Sequence, residues 1–261
     1  MVVAREVRVE VGGRVGVITI DRPHTRNAIG LATATEFEAA IVEVSAASPA
    51  VVVITGAGDR AFISGGDLKE LEAVRSVDDA EHMARRMRSV LDALAALPVP
   101  VIAALNGHAL GGGAEVAVAA DIRIAADDVR IGFIQSSLGI MPAWGGAERL
   151  TRLVGRGQAL LLMCTGRVLT ADAARGAGLV DAVLPRGEFD AGWRDIAARF
   201  AALPGSATRS IKAAVTAVSP AVFPAAETDA VRAFAELWCA PEHWEMAAAA
   251  LARRRHEDHR E

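Results

Sequence analysis

The chain lacks several features that would point directly to a function. Its two cysteines, Cys164 and Cys239, form neither a metal-binding spacing nor a disulfide framework. Buried free thiols in a reducing, cytoplasmic setting are the expectation for both. Basic charge is not in excess. The 28 Lys and Arg residues against 32 Asp and Glu leave a net charge of −4, so composition offers no electrostatic case for a nucleic-acid partner. No apolar run reaches the roughly 18 residues of a membrane span, so no membrane partner is expected. Arg5, Glu6 and Arg8 interrupt the first apolar stretch, which argues against a secretory leader there. The glycines around Gly111 do not make a proper G-x-G-x-x-G, and Ser64 lacks the G-x-S-x-G frame of a hydrolase elbow.

What the chain does have is apolar residues and glycine-rich turns. With 261 residues, 52% of them hydrophobic, it can bury a large core as one domain or one domain with an appendage. Alternation over 7–11 and 15–20 around Gly12-Gly13 predicts a β-hairpin. Phe37, Ile41 and Val44 share one face of a helix predicted over 33–47. Apolar runs at 51–54 and 101–105 predict buried strands, with a helix over 79–97 between them. Short strands follow at 122–125, 129–133 and 179–184. Helices are predicted at 145–154 and 158–163, and Thr170 is placed to cap a short one over 171–176. After Pro185 only helical patterns remain, over 189–203, 206–218, 225–237 and 241–256. The fold class is therefore α/β, with an all-helical end.

Two glycine segments carry the chemistry. Gly107-His108-Ala109-Leu110-Gly111-Gly112-Gly113-Ala114-Glu115 follows the 101–105 strand and enters a helix. Backbone N–H groups at a helix start, with no Cβ to block approach, suit a negatively charged oxygen. Glu115 stands about one turn further along that helix, where it can serve as an acid or base, or simply favour the helix dipole. Ser64-Gly65-Gly66-Asp67 makes a second such turn after the 51–54 strand. Two bare turns after two core strands can aim two N–H donors at one oxygen, or they can be only tight packing turns.

The segments AFISGGDLKEL and NGHALGGGAEVAVAADIRIA together resemble the crotonase, or enoyl-CoA hydratase/isomerase, superfamily. So do Asp21-Arg22-Pro23 with Asn27-Ala28, Gly139-Ile140-Met141-Pro142 with Gly145-Gly146, and Gly178-Leu179-Val180. The resemblance spans essentially the whole chain. It implies a crotonase-type spiral of β-β-α units over 1–190 that binds acyl-CoA. A helical region over 191–261 would assemble a homotrimer or a dimer of trimers. No prosthetic group and no metal are implied; coenzyme A enters as part of the thioester substrate. The N–H groups of Gly66 and Gly112 would form an oxyanion hole. Arg22, Arg26 and Lys69 would approach CoA phosphates, and Ser64 and Gly65 the adenine.

Glu115 falls on the first of the family's two catalytic glutamates. The second position holds Gln135, which hydrogen-bonds but does not transfer protons at ordinary pH. Asp67 and Asp121 fall on structural positions, Glu148 on a helix outside the site, and His108 can face either way. A hydratase-type lyase working through Glu115 is the first reading. MPAWGGAERL and LWCAPEH are similar to the ethylmalonyl-CoA decarboxylase branch, which makes decarboxylation of ethylmalonyl- or methylmalonyl-CoA the alternative. A catalytically silent acyl-CoA-binding protein is the third. The variable segment 71–87 is expected to shape the acyl pocket, and Arg253 to Arg255 either reach a CoA phosphate or solvate the chain end.

Overall fold

The structure, a computed structural model, describes residues 5–218 and 224–258. It opens with a hairpin, β1 (Val7–Gly12) and β2 (Val15–Ile20), followed by α1 (Leu31–Ala46). Three β-β-α units come next. The first is β3 (Val51–Gly56) and β4 (Ala61–Ile63), with a short α2 (Leu68–Leu71) and a long α3 (Val77–Ala95). The second is β5 (Val101–Leu105), β6 (His108–Leu110) and α4 (Gly112–Ala119). The third is β7 (Ile122–Ala126), β8 (Arg130–Gly132), α5 (Gly146–Val154) and α6 (Arg156–Thr165). The chain then runs through β9 (Val168–Thr170), α7 (Ala171–Gly176) and β10 (Ala182–Leu184) to α8 (Phe189–Ala202), α9 (Gly205–Ala217), α10 (Pro224–Cys239) and α11 (Pro241–Asp258).

Each unit gives its first strand to a six-stranded sheet, ordered β1-β2-β3-β5-β7-β10, and its second to a four-stranded sheet, ordered β4-β6-β8-β9. This alternation is the expected spiral. Apart from the antiparallel β1–β2 hairpin, neighbours in the large sheet are parallel. That explains the unbroken apolar runs of β3 and β5, whose residues are almost all buried: a parallel sheet is covered on both faces. In the small sheet β4, β6 and β8 run parallel, so their C-terminal ends lie side by side. Helix α3 starts where the Ser76 hydroxyl accepts the Asp79 N–H at 3.1 Å, and it turns Met83, Met87, Leu91 and Leu94 into the core. Among the described residues no helix is long and apolar enough to cross a membrane.

Some expectations change. The expected division at 190 falls inside α8. Of the C-terminal helices, α10 lies along α3, and the Trp238 Nε1–H donates to the Val74 carbonyl at 3.0 Å. The cysteines are free, but Cys164 is exposed and Cys239 only half-buried. Helix α6 starts at Arg156, so Gly157 lies within it rather than before it. The side chains of Arg254 and Arg255 lie outside the described residues.

Candidate active site

The two glycine turns meet at the C-terminal ends of β4 and β6. A Cβ on Gly65 would stand 3.4 Å from the Gly112 nitrogen and 3.3 Å from the Leu110 carbonyl oxygen. The backbone of this strip is fixed from both sides. The Ile29 N–H donates to the Gly65 carbonyl at 2.8 Å and the Asp67 N–H to the Ile29 carbonyl at 2.9 Å. The Gly66 and Gly112 N–H groups donate to no backbone acceptor among the described residues, and both glycines line one cavity of about 70 Å³.

Close packing demands the glycines of α4. A Cβ at Gly113 would sit 1.8 Å from the Ile63 carbonyl oxygen, and one at Gly112 would sit 2.3 Å from the Trp144 ring. Helix α4 therefore lies directly against β4, buried along its whole length, with the indole laid over its first residue. Its Glu115, only 2% exposed, faces the cavity.

Three N–H groups hold that carboxylate. Its Oε2 accepts from the backbone of Trp144 at 2.7 Å and of Gly146 at 2.9 Å, and its Oε1 accepts from the Gln135 amide at 2.9 Å. Burial pushes its pKa up to about 7, and the three hydrogen bonds and the nearby Arg149 guanidinium hold back a larger rise. The carboxylate is thus poised between its two protonation states near neutral pH. Gln135 opens a 3-10 turn, Gln135–Leu138, and its own Oε1 is buried without a partner among the described residues. The other walls are apolar. Leu71 and Met83 come from the variable segment, as expected, Trp144 from the loop before α5, and Phe234 and Trp238 from α10.

Six of the nine residues singled out from the sequence come together here: Ser64, Gly65, Gly66, Gly112, Glu115 and Gln135. The other three do not line the cavity. Arg22, expected to reach a phosphate, is buried instead. It ion-pairs with Glu6 and Asp67, each at 3.1 Å, and donates to the Ala28 carbonyl at 2.6 Å. Its charge is used to join the N-terminal segment to α2. Arg26 is half-buried and its carbonyl accepts the Ser64 N–H at 3.1 Å; Lys69 is exposed on α2. Asp121 is structural, accepting the Val101 N–H at 2.7 Å and pairing with Lys212 at 2.8 Å. Glu148 pairs with Arg88 at 2.8 Å, away from the cavity. His108 points outward, its Nδ1 accepting the Arg130 N–H at 3.2 Å.

Sequence reasoning missed Trp144, Gly146, Phe234 and Trp238 as site residues. The available signal was the scarcity of aromatics, 4% of the chain, which makes each tryptophan an unusual investment. Among the described residues no group of three or more His, Cys, Asp or Glu is arranged to hold a metal ion.

A buried carboxylate beside two strand-end N–H donors, on a spiral of β-β-α units, defines a class of acyl-group enzymes, and the comparisons agree. The family model for enoyl-CoA hydratase/isomerase matches residues 10–256, and the chain belongs to that family. It is 40% identical over 184 residues to the short-chain-enoyl-CoA hydratase of Clostridium acetobutylicum, covering 70% of each chain. It is 38% identical over 203 residues to the crotonyl-CoA hydratase of Syntrophomonas wolfei, covering 77% of each. The crystal structure of an enoyl-CoA hydratase from Bacillus anthracis superposes with a TM-score of 0.79 at 33% identity, over 89% of this chain and 90% of that one.

Proposed function

We propose that this enzyme adds water across the double bond of a short 2-enoyl-CoA thioester. The observation that carries the reading is the Glu115 carboxylate, held ready by three N–H groups beside the two uncommitted donors of Gly66 and Gly112. A thioester oxygen seated on those donors would be stabilised as negative charge develops on it; one such donor is worth about 3 kcal/mol. Glu115 takes a proton from water as the hydroxyl oxygen bonds to C3 and the C2–C3 π pair moves into the enolate. The enolate then collapses and C2 takes that proton back from Glu115. Atoms balance, because one water is added and the carboxylate is regenerated. With Gln135 unable to share the work, one carboxylate performs both transfers, so hydrogen and hydroxyl arrive on the same face.

The apolar walls and the small cavity favour a short, uncharged acyl chain, in line with the two relatives named for short-chain enoyl- and crotonyl-CoA hydration. The decarboxylase alternative gains no support from the lining. Among its described residues there is no Lys or Arg to receive a substrate carboxylate, which would face Glu115 instead. Arg26 and Lys69 are the remaining candidates for CoA phosphates. A homotrimer or dimer of trimers, in the cytoplasm, completes the proposal. Exposed Ile211 and Val218 on the α9 side, and Leu160 and Leu161 on α6, are apolar surface that assembly would cover.

The test is steady-state hydration of crotonyl-CoA. Turnover that disappears in Glu115→Gln supports the reading. No turnover by folded protein that binds a CoA thioester overturns it, and deuterium exchange at the α-carbon then separates another enolate reaction from a silent binder.

A further inference from the structure

We infer that His243 is a positioning residue for this site: its imidazole pins the turn that carries Gln135, and through Gln135 it sets the Glu115 carboxylate. The inference rests on the reading of Glu115 as the proton-transfer group.

His243 lies near the start of α11, fully buried, and 105 residues along the chain from the group it holds. Its Nδ1 is 2.6 Å from the Leu138 carbonyl oxygen. A carbonyl only accepts, so Nδ1 carries a proton. The other ring nitrogen, Nε2, is buried and has no partner among the described residues. The ring packs against both Trp238 and Trp244, with centroids 4.7 and 4.8 Å away, in a cluster of three mutually touching rings. Desolvation lowers the pKa of His243 and outweighs the hydrogen bond to Leu138, which raises it; the Arg75 guanidinium, 3.8 Å over the Trp244 ring, also lowers it. A neutral ring with one committed donor is a fixed peg.

The peg acts on a short lever. Leu138 is the last residue of the turn Gln135–Leu138. The next residue, Gly139, has φ +70°, and a Cβ there would be 3.5 Å from the His243 Cα and 3.3 Å from the Met246 sulfur. The turn is therefore clamped at its C-terminal end by α11, through one hydrogen bond and one close backbone approach. At its other end Gln135 donates to Glu115 at 2.9 Å. Among the described residues the charged groups acting on Glu115 and His243 are Arg149 of α5 and Arg75 of the α2–α3 link.

The experiment compares His243→Phe, which keeps an aromatic ring but loses the donor, with His243→Asn, whose amide N–H can stand where Nδ1 does. The readouts are the pH profile of crotonyl-CoA hydration and the titration of Glu115 itself. The latter is followed by carbon NMR on protein labelled at glutamate carboxyls and assigned with Glu115→Gln. In the Phe variant the Glu115 midpoint is expected to rise by about half to one pH unit, the worth of one ordinary hydrogen bond to the charged form. With a midpoint near neutrality, kcat at pH 7 falls roughly two- to fivefold, with KM little changed. The Asn variant is expected to restore the wild-type midpoint. His243→Gln, whose amide is displaced by one methylene, replaces the Phe variant if that one does not fold. A wild-type Glu115 midpoint in the donor-less variant overturns the inference, whatever its activity. The NMR titration stands even if crotonyl-CoA is not hydrated, so failure of the function and failure of the peg are separate results.

Discussion

Gly146 donates its N–H to Glu115 at 2.9 Å, and a Cβ on Gly146 would stand 2.4 Å from the Glu115 Cγ. The same residue thus supplies a hydrogen bond and the room in which to receive it. Gly146→Ala is expected to displace the carboxylate and lower kcat at least about tenfold, since misplacement of about 1 Å can cost a hundredfold. Crotonyl-CoA kinetics and thermal unfolding on one preparation check it; wild-type kcat would count against this geometry.

Glu115→Gln is expected to remove activity by about 10²-fold or more. It should also change stability in a pH-dependent way. The wild-type carboxyl has its pKa raised from 4.5 to about 7 in the folded state, so folding favours the protonated form. The stability it contributes is full below pH 4.5 and is lost as pH rises through about 7. Glutamine mimics the protonated acid and escapes this loss. The variant should gain on wild type between pH 5 and pH 8 by up to roughly 3 kcal/mol, at 1.36 kcal/mol per pH unit. Denaturant unfolding at the two pH values measures it; an unchanged gap would mean that Glu115 is not the raised group.

Catalysis should run the other way. If ionised Glu115 accepts the water proton, kcat rises with pH through about 7. Gln135→Leu removes a donor to the charged form, so its midpoint should move up by about half to one unit. A downward shift would contradict the assigned hydrogen bond.

Arg22 and Lys69 should separate cleanly. Arg22→Leu leaves Asp67 and Glu6 without their buried partner and is expected to cost about 3 kcal/mol or more in unfolding free energy, with KM for the thioester little changed. Lys69→Ala should leave stability alone and raise KM in a salt-dependent way. Reversed outcomes would return Arg22 to the phosphate site.

Phe234 lines the cavity from α10. Phe234→Ala is expected to shift kcat/KM toward hexenoyl-CoA over crotonyl-CoA by about tenfold, the scale of a methylene's worth of pocket. A variant that keeps the wild-type ratio would remove α10 from chain-length selection.

The sequence was most readable where one local pattern decides one element. The β3 and β5 runs are apolar because both sheet faces are covered, and Thr170 caps α7 by accepting the Ala173 N–H at 3.3 Å. The three-residue strands β4, β6 and β9 are too short to show alternation, and β4 and β6 sit beside turn glycines, so they read as loop. Gly66, Gly112 and Glu115 were legible because backbone exposure and a carboxylate are local properties. Arg22 was misplaced because nothing local reveals that Glu6 and Asp67 converge on it. Trp144, Phe234 and His243 reach the site only through tertiary packing, across separations that no periodicity spans.

The donors Gly66 and Gly112 belong to successive units and follow the neighbouring parallel strands β4 and β6. Each stands two or three residues beyond its strand end, and the Ile29 backbone pins the β4 side of the pair. The apolar lining around them comes from other elements: Leu71 and Met83 flank the α2–α3 link, and Phe234 and Trp238 belong to α10. In this architecture the backbone donors are anchored at the edge of a sheet, and the apolar walls are left to the loops and helices laid over it.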